Sequence, residues 1–589
     1  MLKKFFISML GALAGIWISI IVIVIGSLFA VGIIVGKSMK DSSSLASGRI
    51  LHITLEGSIP ERMQPGSVMD MLTSATDDAQ CGLDDILGAV RAAAKDKDVA
   101  GIYLDCRGAS MGIASRQELM EALKTFKQSG KWIYAYADNF TQGDYITASV
   151  ADKVYLNPVG SMDFYGLQSM TMFYKNVLDK LGVEVQIIKV GSFKSAVEPF
   201  IRMDMSEPSR MQTQVFLNQI WDSLASDVAD NRGFSNDDFN QWADSLPMTW
   251  APEVYVDRKL VSELRYRTEV EDLMRKHMNV EDKDKLPFVT PSEYMLAKGV
   301  ENIGSAGKDH VAVLYAVGDI VDSGDGGIVA QDMVPQIRDL ALDEHVKGLV
   351  LRVNSGGGSA FASEQIWKAL EEFKKTDKPF YVSMGDYAAS GGYYISCGAD
   401  SIFADPATLT GSIGIFGMLP SARNLIEDKI GLGIQYVETN PGANMRVPYE
   451  PLTDRQLSAM QAYVERGYDL FTRRVAEGRD IPQDSVKAIG EGRVWDGMTA
   501  VKIGLVDKLA TLDYAVNSIA AKAGLKATDV VGYPEIQSDI WATILAQSKN
   551  LSIGLEGIPA EEVMQYLQVA RTVGSLSPVQ ARMEPVVIK

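Results

Sequence analysis

Short apolar segments alternate with amphipathic segments along most of this chain. In the second half, Val311–Tyr315, Gly348–Val353 and Phe380–Met384 are apolar runs typical of buried strands. Between them, the apolar residues of Met333–Leu342 and Ser363–Lys374 recur at the spacing of a helix that faces a core. Repeated units of a strand and then a helix predict a largely parallel sheet covered by helices, which is an α/β fold.

The same half continues with further predicted elements. A helical run follows Ser390, and Ser401–Ala404 has the pattern of a short strand. Thr453 precedes a long helical run toward Gly478, and Gln456 lies at the third position after it, the spacing of a capping box. We therefore expect a long helix to begin after Thr453.

The first half of the chain repeats the pattern of the second. Asp98–Leu104 (DVAGIYL) matches His345–Leu351 (HVKGLVL), and the same offset pairs Tyr134 with Tyr381. One residue is then inserted in the second copy. Later pairs are Tyr145 with Tyr393, Pro158 with Pro406 and Trp250 with Trp495. The sequence therefore predicts two copies of one fold.

The predicted division of the chain follows from this duplication. The predicted parts are a membrane anchor (1–40), a first repeat domain (48–278), a connector (279–308), a second repeat domain (309–545) and a C-terminal tail (546–589).

The first forty residues have the pattern of a transmembrane segment. Lys3 and Lys4 precede a run without charged residues over 5–35, and about 20 apolar residues suffice to span a bilayer. A secretory signal has an apolar core of only about 7–15 residues and then a cleavage site. Lys37 and Lys40, beyond the run, weaken the charge bias that sets orientation. We expect an uncleaved single-pass signal anchor in the inner (cytoplasmic) membrane, with the rest of the chain on the periplasmic side.

Composition narrows the classes of function. The net charge of −18 argues against a nucleic-acid partner, because phosphate binding requires concentrated positive charge. The 3 cysteines lack CxxC spacing, and none of the 4 histidines lies in a metal-binding pattern. We therefore expect no metal and no cofactor, and a hydrolytic mechanism here must work without histidine.

Two glycine-rich stretches of the second copy could carry chemistry. Asn354–Ser359 (NSGGGS) follows a predicted strand, and Ala388–Tyr393 (AASGGY) precedes a helical run. Glycine allows other groups to approach its amide closely. A serine at a helix N-terminus that faces such amides can act as a nucleophile beside an oxyanion hole. Both stretches could equally be tight turns, with Ser390 as a helix cap.

The two copies differ at these positions. The first copy has Gln142 where the second has Ser390, and 109–111 replace the glycines. It carries instead Gly191–Pro199 (GSFKSAVEP), and the corresponding stretch of the second copy lacks a counterpart of Lys194. Each copy thus retains a different part of a catalytic set.

These motifs resemble one known family. Ser390 in AASGGYYIS, Lys194 in GSFKSAVEPF and TLTGSIGIFG at Thr408–Gly417 are similar to the signal peptide peptidase A family in its long, two-domain form. The resemblance covers nearly the whole chain, to about residue 540. It implies two tandem copies of the Clp protease/crotonase-like fold. It also implies a homo-oligomer such as a tetramer, and a membrane-anchored serine endopeptidase that digests signal peptides released after protein export.

The resemblance implies a role for each residue of the site. Ser390 would be the nucleophile, Lys194 the general base, and Ser412 the residue that orients the lysine. Oxyanion-hole amides would come from Gly357, Gly358 and Gly391.

A lysine base places demands on its surroundings. A free lysine has a pKa of about 10.4 and is a poor base at neutral pH. Burial lowers such a pKa, whereas an ion pair with Glu198 would raise it. We therefore expect Lys194 to be shielded from water between the two copies, and Glu198 to point away from it.

Two other functions remain open at this level. A crotonase-type acyl-CoA enzyme shares the fold class and the paired-amide oxyanion hole, but it would not need a membrane anchor. A non-catalytic membrane scaffold or degenerate peptidase would keep the fold without the reaction. The sequence does not determine whether Ser390 and Lys194 meet within one chain or between two, how many subunits assemble, or which residues line the substrate pockets.

Overall fold

The computed structural model describes residues 48–63, 81–281, 284–298, 308–324, 326–440, 442–443, 445, 449–526, 529–535 and 579–583. The predicted membrane anchor lies outside the described residues, as does most of the predicted tail. Within the described ranges, no helix is both long and apolar enough to cross a bilayer.

The first copy forms a six-stranded sheet in which all neighbouring strands are parallel. Its strand order is β6-β4-β3-β2-β1-β7, and one strand of this copy, β5, belongs to a different sheet. The strands are β1 (Arg49–Leu55), β2 (Val99–Cys106), β3 (Trp132–Ala137), β4 (Lys153–Leu156), β5 (Glu184–Lys189), β6 (Glu263–Leu264) and β7 (Phe288–Val289).

Ten α-helices belong to the described part of this copy. They are α1 (Leu83–Lys95), α2 (Ile113–Lys127), α3 (Gln142–Ala148), α4 (Lys175–Leu181), α5 (Glu198–Ile201), α6 (Glu207–Arg232), α7 (Asn236–Ala243), α8 (Pro252–Asp257), α9 (Arg267–Met278) and α10 (Pro291–Lys298), with a 3₁₀ turn at Pro247–Thr249. β7 and α10 lie within the predicted connector, and Val289, Tyr294 and Met295 pack in the core of the first copy.

The second copy contributes the remaining elements. Its strands are β8 (His310–Val317), β9 (Ile320–Val321), β10 (Ile328–Val329), β11 (Val346–Ser355), β12 (Gly357–Ser359), β13 (Phe380–Ala389), β14 (Ser401–Ala404), β15 (Leu409–Gly411), β16 (Phe416–Ser421), β17 (Val494–Asp496), β18 (Lys508–Leu509), β19 (Val530–Tyr533) and β20 (Val579–Arg582). Its helices are α11 (Ala330–Leu342), α12 (Ala360–Lys374), α13 (Gly391–Ser396), α14 (Asp454–Arg479), α15 (Gln483–Ile489), α16 (Gly497–Lys502) and α17 (Leu512–Ala523), with a π-helical turn at Leu425–Ile430.

The architecture of the two copies is the same. In the second sheet the parallel series β18-β14-β13-β11-β8-β19 repeats the strand order of the first sheet. The longest helices, α6 and α14, each contain 26 residues. Thr453 caps α14 with the expected capping box. The predicted α/β fold with a tandem duplication is therefore confirmed.

A third sheet joins the two copies. Its order is β10-β9-β12-β20-β16-β5, so β5 of the first copy lies beside a strand of the second. β16 pairs antiparallel with both β5 and β20. β20 comes from the predicted tail. This sheet has no signal in the sequence, because strands of two to six residues carry too few positions to show a period.

The copies also share a buried interior. Ala389, Leu409 and Val494 of the second copy lie in the same apolar cluster as the core of the first copy. Beside it, the Arg352 guanidinium on β11 forms ion pairs with Glu61 and Glu118 of the first copy. The two copies are thus one packed body around their contact, which is where Lys194 and Ser390 are found.

Candidate active site

Lys194 and Ser390 meet within a single chain. The Lys194 Nζ atom lies 2.8 Å from the Ser390 Oγ atom. Only 1% of Lys194 and 0% of Ser390 is exposed to solvent. The lysine follows β5 of the first copy, and the serine directly follows β13 of the second, so the contact forms only when the copies pack together.

Two glycines allow the lysine segment to lie against the second copy. The Phe193 amide donates to the Glu491 carbonyl at 3.0 Å. Gly492 has a φ of +78°, and a Cβ atom there would lie 2.6 Å from the Lys194 Cβ. Gly191 has a φ of +103° and would place a Cβ against the Glu491 carbonyl. A side chain at either position is therefore disfavoured by the positive φ and would clash with neighbouring atoms.

Ser390 occupies a strained turn between β13 and α13. Its φ of +54° and ψ of −113° are rare for a residue with a Cβ. Its amide donates to the Gly411 carbonyl and its carbonyl accepts from the Tyr394 amide, both at 2.8 Å. Ser390 takes the N-cap position of α13, but its side chain makes no capping hydrogen bond. The hydroxyl is thus directed at Lys194 rather than used as a helix cap.

Two oxygens of Ser412 also contact the Lys194 amine. The Lys194 Nζ lies 3.1 Å from both the carbonyl oxygen and the Oγ of Ser412. Ser412 itself has a φ of +50°, and its amide donates to the Arg493 carbonyl at 2.7 Å. A neutral amine has two N–H groups and one lone pair. It can therefore donate to the two Ser412 oxygens while its lone pair faces the Ser390 hydroxyl.

Burial makes this lysine a base. Desolvation disfavours the ammonium form and lowers the pKa of Lys194 well below its ordinary value of 10.5. The Glu198 carboxylate accepts instead from the Ser206 amide at 3.0 Å and from the Ser206 hydroxyl. The expectation that Glu198 points away from the lysine is confirmed.

The glycine-rich loop packs against the turn that carries Ser390. Gly357 has a φ of +101°, and its amide donates to the Ser355 Oγ at 3.1 Å. Gly358 pairs with Ile320 in the third sheet, and Gly391 is the first residue of α13. A Cβ on Gly392 would lie 2.6 Å from the Ser355 carbonyl. The three glycines predicted for the oxyanion hole are therefore brought to the same side of the molecule as Ser390.

An extended segment lies between the two strands that flank the site. β20 pairs antiparallel with β12, which contains Gly357 and Gly358, and with β16, which follows Ser412. The Met583 amide donates to the Gly356 carbonyl at 2.6 Å. Met583 is buried in the apolar cluster that includes Ala389. The edges of β12 and β16 thus accept an extended chain between them.

The corresponding region of the first copy is closed. Gln142 replaces the serine, and its Oε1 accepts from the Tyr165 amide at 2.8 Å. The Asp144 carboxylate accepts from the Gly108 amide at 2.7 Å and pairs with Arg116 at 3.5 Å. An internal carboxylate and its arginine partner therefore lie beside the loop that replaces the glycines of the second copy.

Several residues of the site were missed from the sequence. Gly492 backs Lys194 but belongs to no recognisable motif. Asn354 begins the glycine-rich stretch Asn354–Ser359, but that pattern pointed to its glycines and not to the asparagine side chain. A second sequence signal near Asn354 is the residue inserted in the second copy. Among the described residues there is no group of three or more histidine, cysteine, aspartate or glutamate side chains that could hold a metal ion.

Comparisons with known proteins show the family of this chain. The model of peptidase family S49 matches residues 125–281 and 372–526. Protease 4 of Salmonella typhi is 35% identical over 84% of this chain and 78% of its own length. Protease 4 of Haemophilus influenzae is 34% identical over 81% of this chain and 80% of its own. The chloroplastic serine protease SPPA of Arabidopsis thaliana is 28% identical over 80% of this chain and 72% of its own.

A solved structure is also similar. A point mutant of ClpP1 from Listeria monocytogenes covers 37% of this chain and 96% of its own, with 14% identity and a TM-score of 0.24. That score is too low to support an argument, so the Clp protease/crotonase-like assignment stays a prediction. The family match and the long relatives are sufficient without it: this chain belongs to peptidase family S49, in a long form with two tandem copies, and is a serine peptidase.

Proposed function

We propose that this chain is a membrane-anchored serine endopeptidase with Ser390 as nucleophile and Lys194 as general base. The observation that carries the proposal is the 2.8 Å contact between Lys194 Nζ and Ser390 Oγ in a fully buried setting. A general base must lie within hydrogen-bond reach of the proton that it removes. Ser412 keeps the amine of Lys194 in that position.

The reaction uses the lysine twice. Neutral Lys194 takes the proton of the Ser390 hydroxyl while Oγ attacks the carbonyl carbon of the peptide bond. The oxyanion that forms accepts hydrogen bonds from amides of the glycine-rich loop and the Ser390 turn, among them Gly358 and Gly391. The Gly357 amide, which donates to Ser355 Oγ in the structure, must release that partner to take part. The lysine ammonium then gives its proton to the leaving amine as the C–N bond breaks. Water, deprotonated by the same lysine, hydrolyses the acyl-enzyme and returns Ser390.

Signal peptides released after protein export are the proposed substrates. Peptides of this kind are apolar and can bind as extended strands. β20 of this chain occupies the place between the edges of β12 and β16, so a substrate strand would bind there by displacing β20. A putative signal peptide peptidase SppA of Enterococcus faecium is 33% identical over 45% of this chain and 78% of its own.

The proposed location is the periplasmic face of the inner membrane. The uncharged run over residues 5–35 would anchor the chain in the bilayer. A homo-oligomer such as a tetramer is proposed as well. Large apolar side chains that are exposed in the single chain, among them Met170, Met172 and Val437, support a further contact surface.

Cleavage of a model signal peptide tests the proposal. The purified protein is compared with Ser390→Ala and Lys194→Ala, and each is also treated with a serine-directed acylating probe. We expect cleavage and labelling of the parent protein and neither in the two variants. Labelling that persists in Lys194→Ala would refute the dyad. A parent protein that is not labelled would favour the scaffold function.

A further inference from the structure

A bulge interrupts β13 just before Ser390. β11 and β13 pair regularly up to Val353 with Met384, and the next pair is Ser355 with Ala388. Asn354 alone on β11 therefore faces residues 385–387 on β13. Bulges redirect the side chains that follow them and are frequent next to active sites. Here the serine follows three residues after the bulge.

In the first copy the strand pair ends where the bulge of the second copy begins, because Cys106 and Ala137 correspond to Val353 and Met384. β2 and β3 pair without a shift from Gly101 with Trp132 to Cys106 with Ala137. The residue that the second copy gains relative to the first lies between Tyr381 and Tyr393, the interval that contains the bulge. In the copy with the nucleophile the strand pair thus continues past the bulge to Ser355 with Ala388, whereas the β2–β3 pairing of the other copy stops before the equivalent place.

The Asn354 side chain holds the bulge in shape. Its Oδ1 accepts from the Tyr387 amide at 3.1 Å. Its Nδ2 donates to Asp386 Oδ2 at 3.3 Å and to Glu61 Oε2 at 3.1 Å. Because the bulged residues lose their regular strand partner, the amide of one side chain replaces part of the backbone ladder.

Asp386, the middle residue of the bulge, binds the first copy. Its carboxylate accepts from the Ser115 amide at 3.1 Å and from the Ser115 hydroxyl at 2.7 Å. Ser115 lies in the first turn of α2, where the helix dipole favours a negative charge. Gly112 leaves room for the contact, since a Cβ there would overlap the Asp386 carboxylate. Hydrogen bonds thus hold the bulge both to β11 and to the first copy, which provides Lys194.

We propose that Asn354 and Asp386 are positioning residues for catalysis, which hold the bulge that directs Ser390 toward Lys194. This inference rests on the proposed Ser/Lys mechanism. Both residues act through Ser390 and not on the substrate. A misplacement of the serine by about 1 Å would lower the rate of acylation about 100-fold. It would leave β12 and β16, the strands proposed to bind the substrate, in place.

Asn354→Ala is the first test. The alanine removes both the acceptor for the Tyr387 amide and the donor to the two carboxylates. We expect kcat for a model signal peptide, and the rate of Ser390 acylation, to fall about 10- to 100-fold, with KM within about 3-fold of the parent value. Arg107 aligns with Asn354 at the offset of the two copies. Arg107→Ala, the matched control, leaves both constants unchanged.

A swap of the two groups separates positioning from general packing. Asn354→Asp alone places carboxylates against each other and lowers kcat. Combined with Asp386→Asn it restores an acceptor for the Tyr387 amide, an amide donor between the two side chains and an acceptor for Ser115. The carboxylate at position 354 still faces Glu61 Oε2, which accepts from Asn354 in the parent. We therefore expect the double variant to recover part of the kcat lost in Asn354→Asp, as a coupled pair does in a double-mutant cycle.

Three results would overturn the inference. The first is a parent-like kcat in Asn354→Ala. The second is a loss of kcat matched by an equal rise of KM and a fall in thermal stability, which is the pattern of loosened packing. The third is a double variant no better than the worse single variant. A parent protein that is itself inactive would instead refute the proposed function, so the two failures are distinguishable.

Discussion

At the scale of single residues, the chemistry depends on one buried amine. Lys194 is surrounded by neutral oxygens of Ser390 and Ser412. Such a setting orients the amine but does not supply the negative charge that would stabilise its protonated form. The exclusion of water therefore lowers the pKa of Lys194 and turns an ordinarily protonated side chain into a base.

The pH dependence of activity follows from this burial. The mechanism requires neutral Lys194, whose pKa lies well below 10.5. Activity should be present above the lowered pKa of Lys194 and should fall as the pH drops through that pKa. Lys194→Arg should be inactive throughout, since a guanidinium stays protonated. The measurement is kcat/KM against pH; an activity midpoint near the pKa of a free lysine, about 10.4, would contradict a depressed pKa.

Gly492→Ala should disable the lysine without altering its chemistry. The new Cβ would lie 2.6 Å from the Lys194 Cβ, so the lysine segment must shift away from Ser390. We expect acylation of Ser390 to slow at least about 10-fold. Gly524 also has a positive φ, +68°, but has open space around its Cβ position. Gly524→Ala therefore controls for backbone strain, and equal rates in the two variants would refute the explanation.

At the scale of elements, a buried ion cluster connects β11 with α2 and the loop after β1. The Arg352 guanidinium donates to Glu61 and Glu118, and also to the Ser383 Oγ at 2.9 Å. Burial raises the pKa of Glu61 even beside Arg352, and it raises the pKa of Asp405 well above its usual value. The cluster thus depends on its single central cation.

Arg352→Leu should be strongly destabilising. It leaves Glu61 and Glu118 buried without a counter-charge, and breaking such a pair typically costs about 3–5 kcal/mol of unfolding free energy. The loss should be smaller at low pH, where protons neutralise the carboxylates. Chemical denaturation at several pH values measures it. Lys375→Ala, which breaks an exposed pair with Glu372, should have little effect, and an equally small effect for Arg352→Leu would contradict the role of the cluster.

At the scale of the whole molecule, one copy supplies the base and the other the nucleophile. Six strands of the second sheet repeat the strand order of the first, yet the first copy has Gln142 at the position of the nucleophile. The duplication therefore produced two copies of the fold. Among the described residues there is a single candidate Ser/Lys dyad, and it forms between the two copies.

Gln142→Ser should not create a second active site. The variant is made in a Ser390→Ala background. The introduced hydroxyl lies in the region that the Asp144–Arg116 pair closes. Lys194 is not available to it, because its amine contacts positions 390 and 412 of the second copy. We expect no labelling by a serine-directed acylating probe. Mass spectrometry of the treated protein detects the adduct, and labelling of the first copy would show that its site is still competent.

The sequence by itself determined the longer elements of the second copy, the duplication and the candidate pair. Strand Ser401–Ala404 was predicted with its observed bounds, and helix α14 with its capping box, because these signals lie within a few neighbouring residues. Ser390 and Lys194 stood out because the two copies differ there.

Only the tertiary structure decided how distant segments meet. It placed the lysine 2.8 Å from the serine within one chain, built the third sheet from strands of both copies and the predicted tail, and tied the bulge before Ser390 to α2 through Asp386. None of these contacts has a local pattern, because pairing across hundreds of residues depends on which surfaces pack once the helices and strands exist.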